Sequence, residues 1–151
     1  MADAAPIDPA DADRVRASFT RQAVMATLGI ELVAIEAGAV ELRMPYAAEL
    51  TQQHGFIHAG VLSTALDTAC GYAAFSLMPA DAAVLTVEFK VNLLAPAKGE
   101  AFRFRARVLK PGRTLTVCEA HAFAVQPAGE KLIASMTGTL MAVHGRDGIA
   151  H

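Results

Sequence analysis

The sequence predicts an α+β domain, a curved antiparallel sheet wrapped around one long apolar helix, with an extra helix at the N-terminus. Three observations predict it. Residues 59–78 (AGVLSTALDTACGYAAFSLM) run for twenty positions with one ionisable side chain. The segments that follow change to a hydrophobic period of two. Short turns rich in Pro and Gly join those segments, as antiparallel neighbours require.

Taken in order, residues 1–7 read as a disordered tail. Asp8-Pro9 starts a helix, with an N-cap acceptor followed by proline at the first helical position. Val15, Phe19, Ala23 and Ala26 recur at helical spacing, and Gly29 supplies the stop. Strands near 30–36 and 39–44 flank the turn Glu36-Ala37-Gly38, and the stretch 46–58 has no clean period. The apolar helix ends at the breaker Met78-Pro79-Ala80-Asp81.

Beyond it, Val87, Phe89 and Val91 alternate with Thr86, Glu88, Lys90 and Asn92. Phe102, Phe104, Ala106 and Val108 alternate with Arg103, Arg105 and Arg107, an arginine stripe read as the solvated or interfacial side of the sheet. Pro96-Ala97-Lys98-Gly99, Lys110-Pro111-Gly112-Arg113 and Pro127-Ala128-Gly129 are turns, proline fixing one torsion and glycine permitting positive φ. Strands near 114–125 and 131–143 complete one domain over 8–143, and 144–151 reads as a mobile tail.

Composition narrows the function. A chain of 151 residues, 54% hydrophobic and 19% charged, has enough apolar side chains for a core without staples. A net charge of −2 offers no broad basic field, so neither nucleic acid nor membrane is an expected partner. Cys70 and Cys118 sit in apolar runs and read as buried, reduced thiols. The acidic N-terminus lacks the basic and apolar regions of a signal peptide, so a cytoplasmic location is expected. The run 59–78 is long enough to span a bilayer. Seven of its positions are Gly, Ser, Thr or Asp and no Lys or Arg flanks it closely, which favours a buried helix.

Asp67 is that helix's one ionisable group, and a lone carboxylate in apolar surroundings must be neutralised, paired or used. Gly60, Ser63, Thr64, Cys70, Gly71 and Ala74 lie three, four or seven positions away, all small. Two readings stand. Asp67 accepts hydrogen bonds from Ser63, Thr64 or a neighbouring strand, or it faces a cleft as a carboxylate of perturbed basicity. At the helix start, Ala59 and Gly60 leave room for an oxyanion to approach backbone N–H groups that lack helical partners. The preceding Gln52, Gln53, His54 and His58 read either as part of such a site or as a solvated loop with His58 capping the helix.

Eight residues separate 59 from 67, ~12 Å along a helix, too far to reach one carbonyl that needs ~3 Å contacts. If both serve one reaction they come from two chains, so a catalytic role requires a dimer. His54 and His58 are spaced like metal ligands but no third ligand joins them, and no metal is expected.

The stretch Gln-Gln-His-Gly-Phe-Ile-His-Ala-Gly-Val-Leu-Ser-Thr-Ala-Leu-Asp-Thr-Ala-Cys-Gly (52–71) resembles the His-Gly-Gly helix of hotdog-fold acyl-CoA thioesterases, in the phenylacetate-degradation (PaaI-like) branch. Leu-Thr-Val-Glu-Phe-Lys-Val-Asn-Leu-Leu-Ala-Pro-Ala (85–97) and Val-Leu-Lys-Pro-Gly-Arg-Thr-Leu (108–115) extend the resemblance to about residues 15–143. It implies a hotdog fold and hydrolysis of an acyl-CoA to free acid and CoA, with no metal or redox cofactor. It implies Asp67 as general base toward water or as nucleophile, and the Ala59 N–H as oxyanion donor in a turn oriented by His58. Gln52 stands where the branch often has Asn holding the carbonyl or water, and Thr86 where a hydroxyl positions the water.

Gly60, Lys110 and Arg113 are the implied contacts to the CoA moiety, the two cations through its phosphates. The resemblance further implies a homodimer and its pairing into a dimer of dimers, with Gln52, His58 and Ala59 of one subunit facing Asp67 and Thr86 of the other. An apolar acyl pocket follows, for which Phe19, Met25, Leu28, Phe56 and Tyr72 are candidates. Two positions depart from the pattern: Ala59 replaces glycine, and Gln52 is a methylene longer than asparagine. A hotdog enoyl-thioester hydratase and a non-catalytic acyl-CoA sensor are the alternatives.

Overall fold

A computed structural model describes residues 5–145. Helix α1 (Pro9–Thr20) begins as the sequence requires, with the Asp8 carboxylate accepting from the Ala10 N–H at 2.8 Å. One helix was expected to run on to Gly29. Instead the chain breaks at Arg21 and Gln22 and restarts as α2 (Ala23–Leu28). The break rotates the second piece, so Ala23 and Ala26 are exposed and Met25 enters the core at 2% exposure. Gly29 closes α2 in the left-handed region at φ 64°, the conformation a helix C-terminus asks of glycine.

Strands β1 (Glu31–Glu36) and β2 (Ala39–Pro45) form the expected hairpin. The central helix α3 spans Ala59–Phe75, three residues short of the apolar run. Ser76 ends it, its hydroxyl donating to the Ala73 carbonyl at 2.8 Å while accepting from the Gly38 N–H at 2.8 Å. Four strands follow: β3 (Ala83–Leu93), β4 (Ala101–Lys110), β5 (Leu115–Gln126) and β6 (Gly129–Val143). All neighbours are antiparallel in the order β1-β2-β4-β5-β6-β3, and the sheet curls over α3, which packs on β2 through β6. This is the hotdog architecture.

Alternation sorts the two faces. Phe102, Phe104, Ala106, Cys118, Ala120 and Leu140 are buried against Leu62, Leu66, Ala69 and Ala73 of α3. The many alanines on both sides let helix and sheet approach closely. Outside, each arginine of the stripe meets a carboxylate. Arg105 holds Glu130 through two hydrogen bonds of 2.7 and 2.9 Å, Arg103 and Arg105 both hold Glu41, and Arg107 holds Glu119 at 2.6 Å. The stripe is therefore neutralised within the chain.

Strand β3 departs from strict alternation. Its register against β6 slips between Thr86 and Glu88, leaving Val87 as the extra residue of a bulge. Thr86 pairs with buried Leu140 and Phe89 with Gly138, so the bulge brings Thr86 and Phe89 to the same inner face. The sequence pattern placed them on opposite faces.

At the ends, Ala5 accepts a hydrogen bond from the Ala37 N–H at 3.0 Å, so the expected tail over 1–7 is tied to the β1–β2 turn at that point. The remainder of that tail, residues 1–4, lies outside the described residues, as do 146–151 of the C-terminal tail expected over 144–151. Among the described residues no helix is long and apolar enough to cross a membrane.

Arg14 of α1 locks the C-terminus of α3. Its guanidinium donates to the Phe75 and Met78 carbonyls at 3.2 and 2.8 Å and lies 4.2 Å from the Phe75 ring centre. It thereby adds a donor to the Phe75 carbonyl, which also accepts from the Met78 N–H at 3.1 Å, and holds the turn that follows the helix. Arg14→Ala should destabilise the fold by about 3 kcal/mol, read as a lower denaturant midpoint at unchanged slope. An unchanged midpoint would show that α1 is not structurally coupled to α3.

Candidate active site

The loop before α3 is fixed by backbone bonds at both ends. Ile57 bridges to Thr51 and donates to the Ala97 carbonyl at 3.1 Å, and the His58 N–H donates to the Leu50 carbonyl at 2.9 Å. Between them the Gln52 N–H donates to the Phe56 carbonyl at 2.9 Å, and the Gln52 side-chain oxygen accepts from the His54 N–H. Its oxygen is thus occupied in shaping the turn. The amide nitrogen of Gln52 has no partner among the described residues, which leaves a donor for a carbonyl or water.

His58 is the N-cap of α3, with φ −62° and ψ 139°, and its Nδ1 accepts from the Gly60 N–H at 2.9 Å. In the neutral ring the proton therefore sits on Nε2. Glycine at 60 suits this contact, because a Cβ there would lie a tight 3.1 Å from Nδ1. Both earlier readings of His58, a cap and an orienting group, describe this one geometry.

The helix start has four N–H groups without helical partners. The His58 N–H donates to the Leu50 carbonyl, Gly60 to His58 Nδ1, and Val61 to the His58 carbonyl at 3.0 Å. That leaves Ala59, whose N–H has no acceptor among the described residues. It opens on a cavity of about 420 Å³ whose walls include Gln52, Ala59 and Leu62. An anion placed there meets the one free donor at the positive end of a seventeen-residue helix.

Two turns along, Asp67 is half-buried, and its Oδ1 accepts from the Thr86 hydroxyl at 2.8 Å. Ser63 and Thr64 do not serve it. Their hydroxyls donate back to the Ala59 and Gly60 carbonyls, each at 2.9 Å. Burial pushes the Asp67 carboxyl above its ordinary range, and the Thr86 hydrogen bond pulls the other way. Such a group is a stronger base than a solvated carboxylate.

Spacing put Cys70 and Ala74 on the face of Asp67, yet both are buried toward the sheet. Burial also raises both thiols, Cys118 to about 12, which keeps them protonated and unreactive. The accessible stripe of α3 is therefore Gly60, Ser63, Thr64, Asp67 and Gly71.

The predicted site residues fall into two groups within the chain. Gln52, His58 and Ala59 gather at the start of α3; Asp67 and Thr86 pair at its middle, ~12 Å away. Of the groups expected at the coenzyme, Gly60 has its N–H committed to His58. Lys110, the last residue of β4, and Arg113, in the connection to β5, are exposed. Phe19, Met25 and Tyr72, candidates for an acyl pocket, are core residues at 7%, 2% and 2% exposure, whereas Phe56 lines the cavity beside Ala59. The bulge at Val87 that aims Thr86 at Asp67 has no signal in the sequence. Among the described residues no cluster of His, Cys, Asp or Glu could hold a metal ion.

Residues 54–130 match the Thioesterase superfamily. A thioesterase family protein of Silicibacter pomeroyi is 64% identical, with a TM-score of 0.88 over 89% of this chain and 99% of that one. A protein of Saccharolobus solfataricus provisionally assigned as an esterase is 33% identical over 61% of this chain and 65% of its own length. In two further relatives of that assignment the chain spans 63% and 66%, so it covers slightly under two thirds of these curated relatives. The E. coli PaaI protein of the phenylacetic acid degradation operon shares the fold at a TM-score of 0.80 and 22% identity, over 89% of this chain and 94% of that one.

The raised pKa of Asp67 has a definite sign. Folding favours its protonated form, so the associated stability is present at low pH and is lost as pH rises through the folded-state pKa. Asp67→Asn should therefore melt above the wild type at pH 7, with the gap closing below the ordinary carboxylate range. Thr86→Val removes the bond that favours the carboxylate and should move the Asp67 titration further up, read from the NMR shift of its carboxyl carbon. A downward move would contradict the pairing.

Proposed function

The chain belongs to the thioesterase superfamily, and from that premise we propose that it hydrolyses acyl-CoA thioesters at a site shared between two copies of itself. The observation that carries the reading is the unpartnered Ala59 N–H, set in an apolar cavity at the head of a helix whose middle bears a carboxylate of raised basicity. Asp67 takes a proton from water as the water oxygen attacks the thioester carbonyl, and Thr86 fixes the rotamer of the carboxylate. The Ala59 N–H donates to the tetrahedral oxyanion, and His58 holds that turn in place. Gln52 offers its amide donor to the carbonyl or the water. The intermediate collapses with release of the CoA sulfur, which receives the proton from Asp67. The products are a free acid and CoA, and the scheme uses no metal or redox cofactor.

Two features support a dimer. Strand β3 lies at the edge of the sheet with eleven residues, and Val87, Phe89 and Leu93 on it are 54%, 43% and 55% exposed. A long apolar edge is a template for pairing, and a two-fold axis can join it to its own copy. Residue 63 is midway between 59 and 67, so antiparallel α3 helices crossing at Ser63 set Ala59 opposite the partner's Asp67. The accessible stripe is made of small residues there, which permits the crossing. In that arrangement Lys110 and Arg113 approach the partner's oxyanion site from its outer side, where they would meet CoA phosphates. Pairing of dimers into a tetramer is compatible with it.

Asp67→Asn should lower kcat by more than ~100-fold while leaving the dimer intact, measured as thiol release from acyl-CoA. In the wild type, kcat/KM should fall as pH is lowered through the raised pKa of Asp67, since the ionised form is the base. Ala59→Pro deletes only the N–H, because proline is tolerated at the first helical position and His58 already has the extended backbone that precedes proline. Mixing Asp67→Asn with Ala59→Pro chains should restore about one quarter of wild-type activity, half the dimers each carrying one intact site. No rescue would refute a shared site.

A further inference from the structure

We propose that Phe56 sets the length of the acyl chain the site accepts, as the partition between the cavity at Ala59 and a second, larger cavity behind it. The inference rests on the acyl-CoA reading above. The cavity at Ala59, about 420 Å³, has Gln52 as its one polar side chain and is otherwise walled by residues such as Ile57, Leu62, Leu93 and Leu94. The backbone of that wall offers little to a polar guest. The Leu94 and Ala95 N–H groups both donate to the Ile133 carbonyl, at 2.8 and 3.2 Å, and Pro96 has no N–H. The Ala97 carbonyl accepts from Ile57. A pantetheine arm would set its two amides against a wall whose side chains, Gln52 apart, are apolar, a cost that a hydrocarbon chain does not incur. The occupant that fits is therefore the acyl group.

The second cavity, about 710 Å³, lies where the loop before α3 meets the β3–β4 and β5–β6 turns, between Tyr46, Gly99, Gln126 and Ala128. Phe56 is the residue common to both walls. Its backbone is pinned, since its carbonyl accepts from Gln52 and the next residue bridges to Thr51. On this proposal the half-buried ring stands between the two spaces. An acyl chain running from the carbonyl at Ala59 meets that ring end-on, and removal of the ring joins the cavities into one channel without altering the oxyanion turn.

The test is the dependence of kcat/KM on chain length, from about four to about sixteen carbons, since each methylene that enters an apolar channel gains about fourfold in affinity. Phe56→Ala should raise the ratio of long-chain to short-chain kcat/KM at least tenfold, with Phe56→Leu shifting it less in the same direction. Adding Ala128→Trp, at an exposed turn, should block the far cavity and return the ratio of Phe56→Ala toward the wild-type value. An unmoved ratio in both single variants, or a gain that survives Ala128→Trp, overturns the partition while leaving the hydrolytic reading standing. Absence of thiol release from every acyl-CoA with the wild type sinks both.

Discussion

Six antiparallel strands curled over one helix leave that helix a single stripe in contact with anything outside the chain. Every candidate for chemistry on α3 lies on that stripe or at its head. The covered faces are filled with Leu62, Leu66, Ala69, Ala73 and Phe75, where a charge would be expensive. A carboxylate on such a helix can persist only on the stripe, half-buried and hydrogen-bonded, and those two circumstances together set its basicity. The wrap that stabilises the fold thus also tunes the acid.

The head of the helix obeys a stricter accounting. Of the four N–H groups without i−4 partners, that of His58 meets the Leu50 carbonyl, Gly60 meets the His58 ring, Val61 meets the His58 carbonyl, and Ala59 is left. A solvated helix start would spread its free donors over several directions. Here a single donor is isolated at the edge of an apolar cavity, where low dielectric strengthens whatever bond it makes. Gly60 leaves the His58 ring room to sit close over the turn, where a Cβ would lie 3.1 Å from Nδ1.

The same wrap leaves one edge of the sheet open. Strand β3 supplies Thr86 to the acid from the edge of the sheet, where its own apolar side chains and backbone remain uncovered. The bulge at Val87 serves both ends at once. It turns Thr86 toward Asp67 and keeps Phe89 on the same inner face, along the stripe that a second copy would cover. An assembly through β3 would bury the exposed edge and bring the two half-sites together in one step.

The element order, the apolar helix and the lone carboxylate of Asp67 on it are legible in the sequence, because hydrophobic period and turn chemistry are local properties. The sequence also located Ala59, His58 and Gln52 at a helix start, since capping is decided within a few residues. Only the tertiary structure decided which face of α3 stays open, sending Cys70 and Ala74 inward where spacing alone had put them beside Asp67. It alone split the N-terminal helix and placed Met25 in the core, because packing overrode a continuous helical pattern. The bulge at Val87 and the partition at Phe56 belong to the same class. Each depends on how distant segments meet, and a one-residue slip in strand pairing or a ring shared by two cavities leaves no periodic trace along the chain.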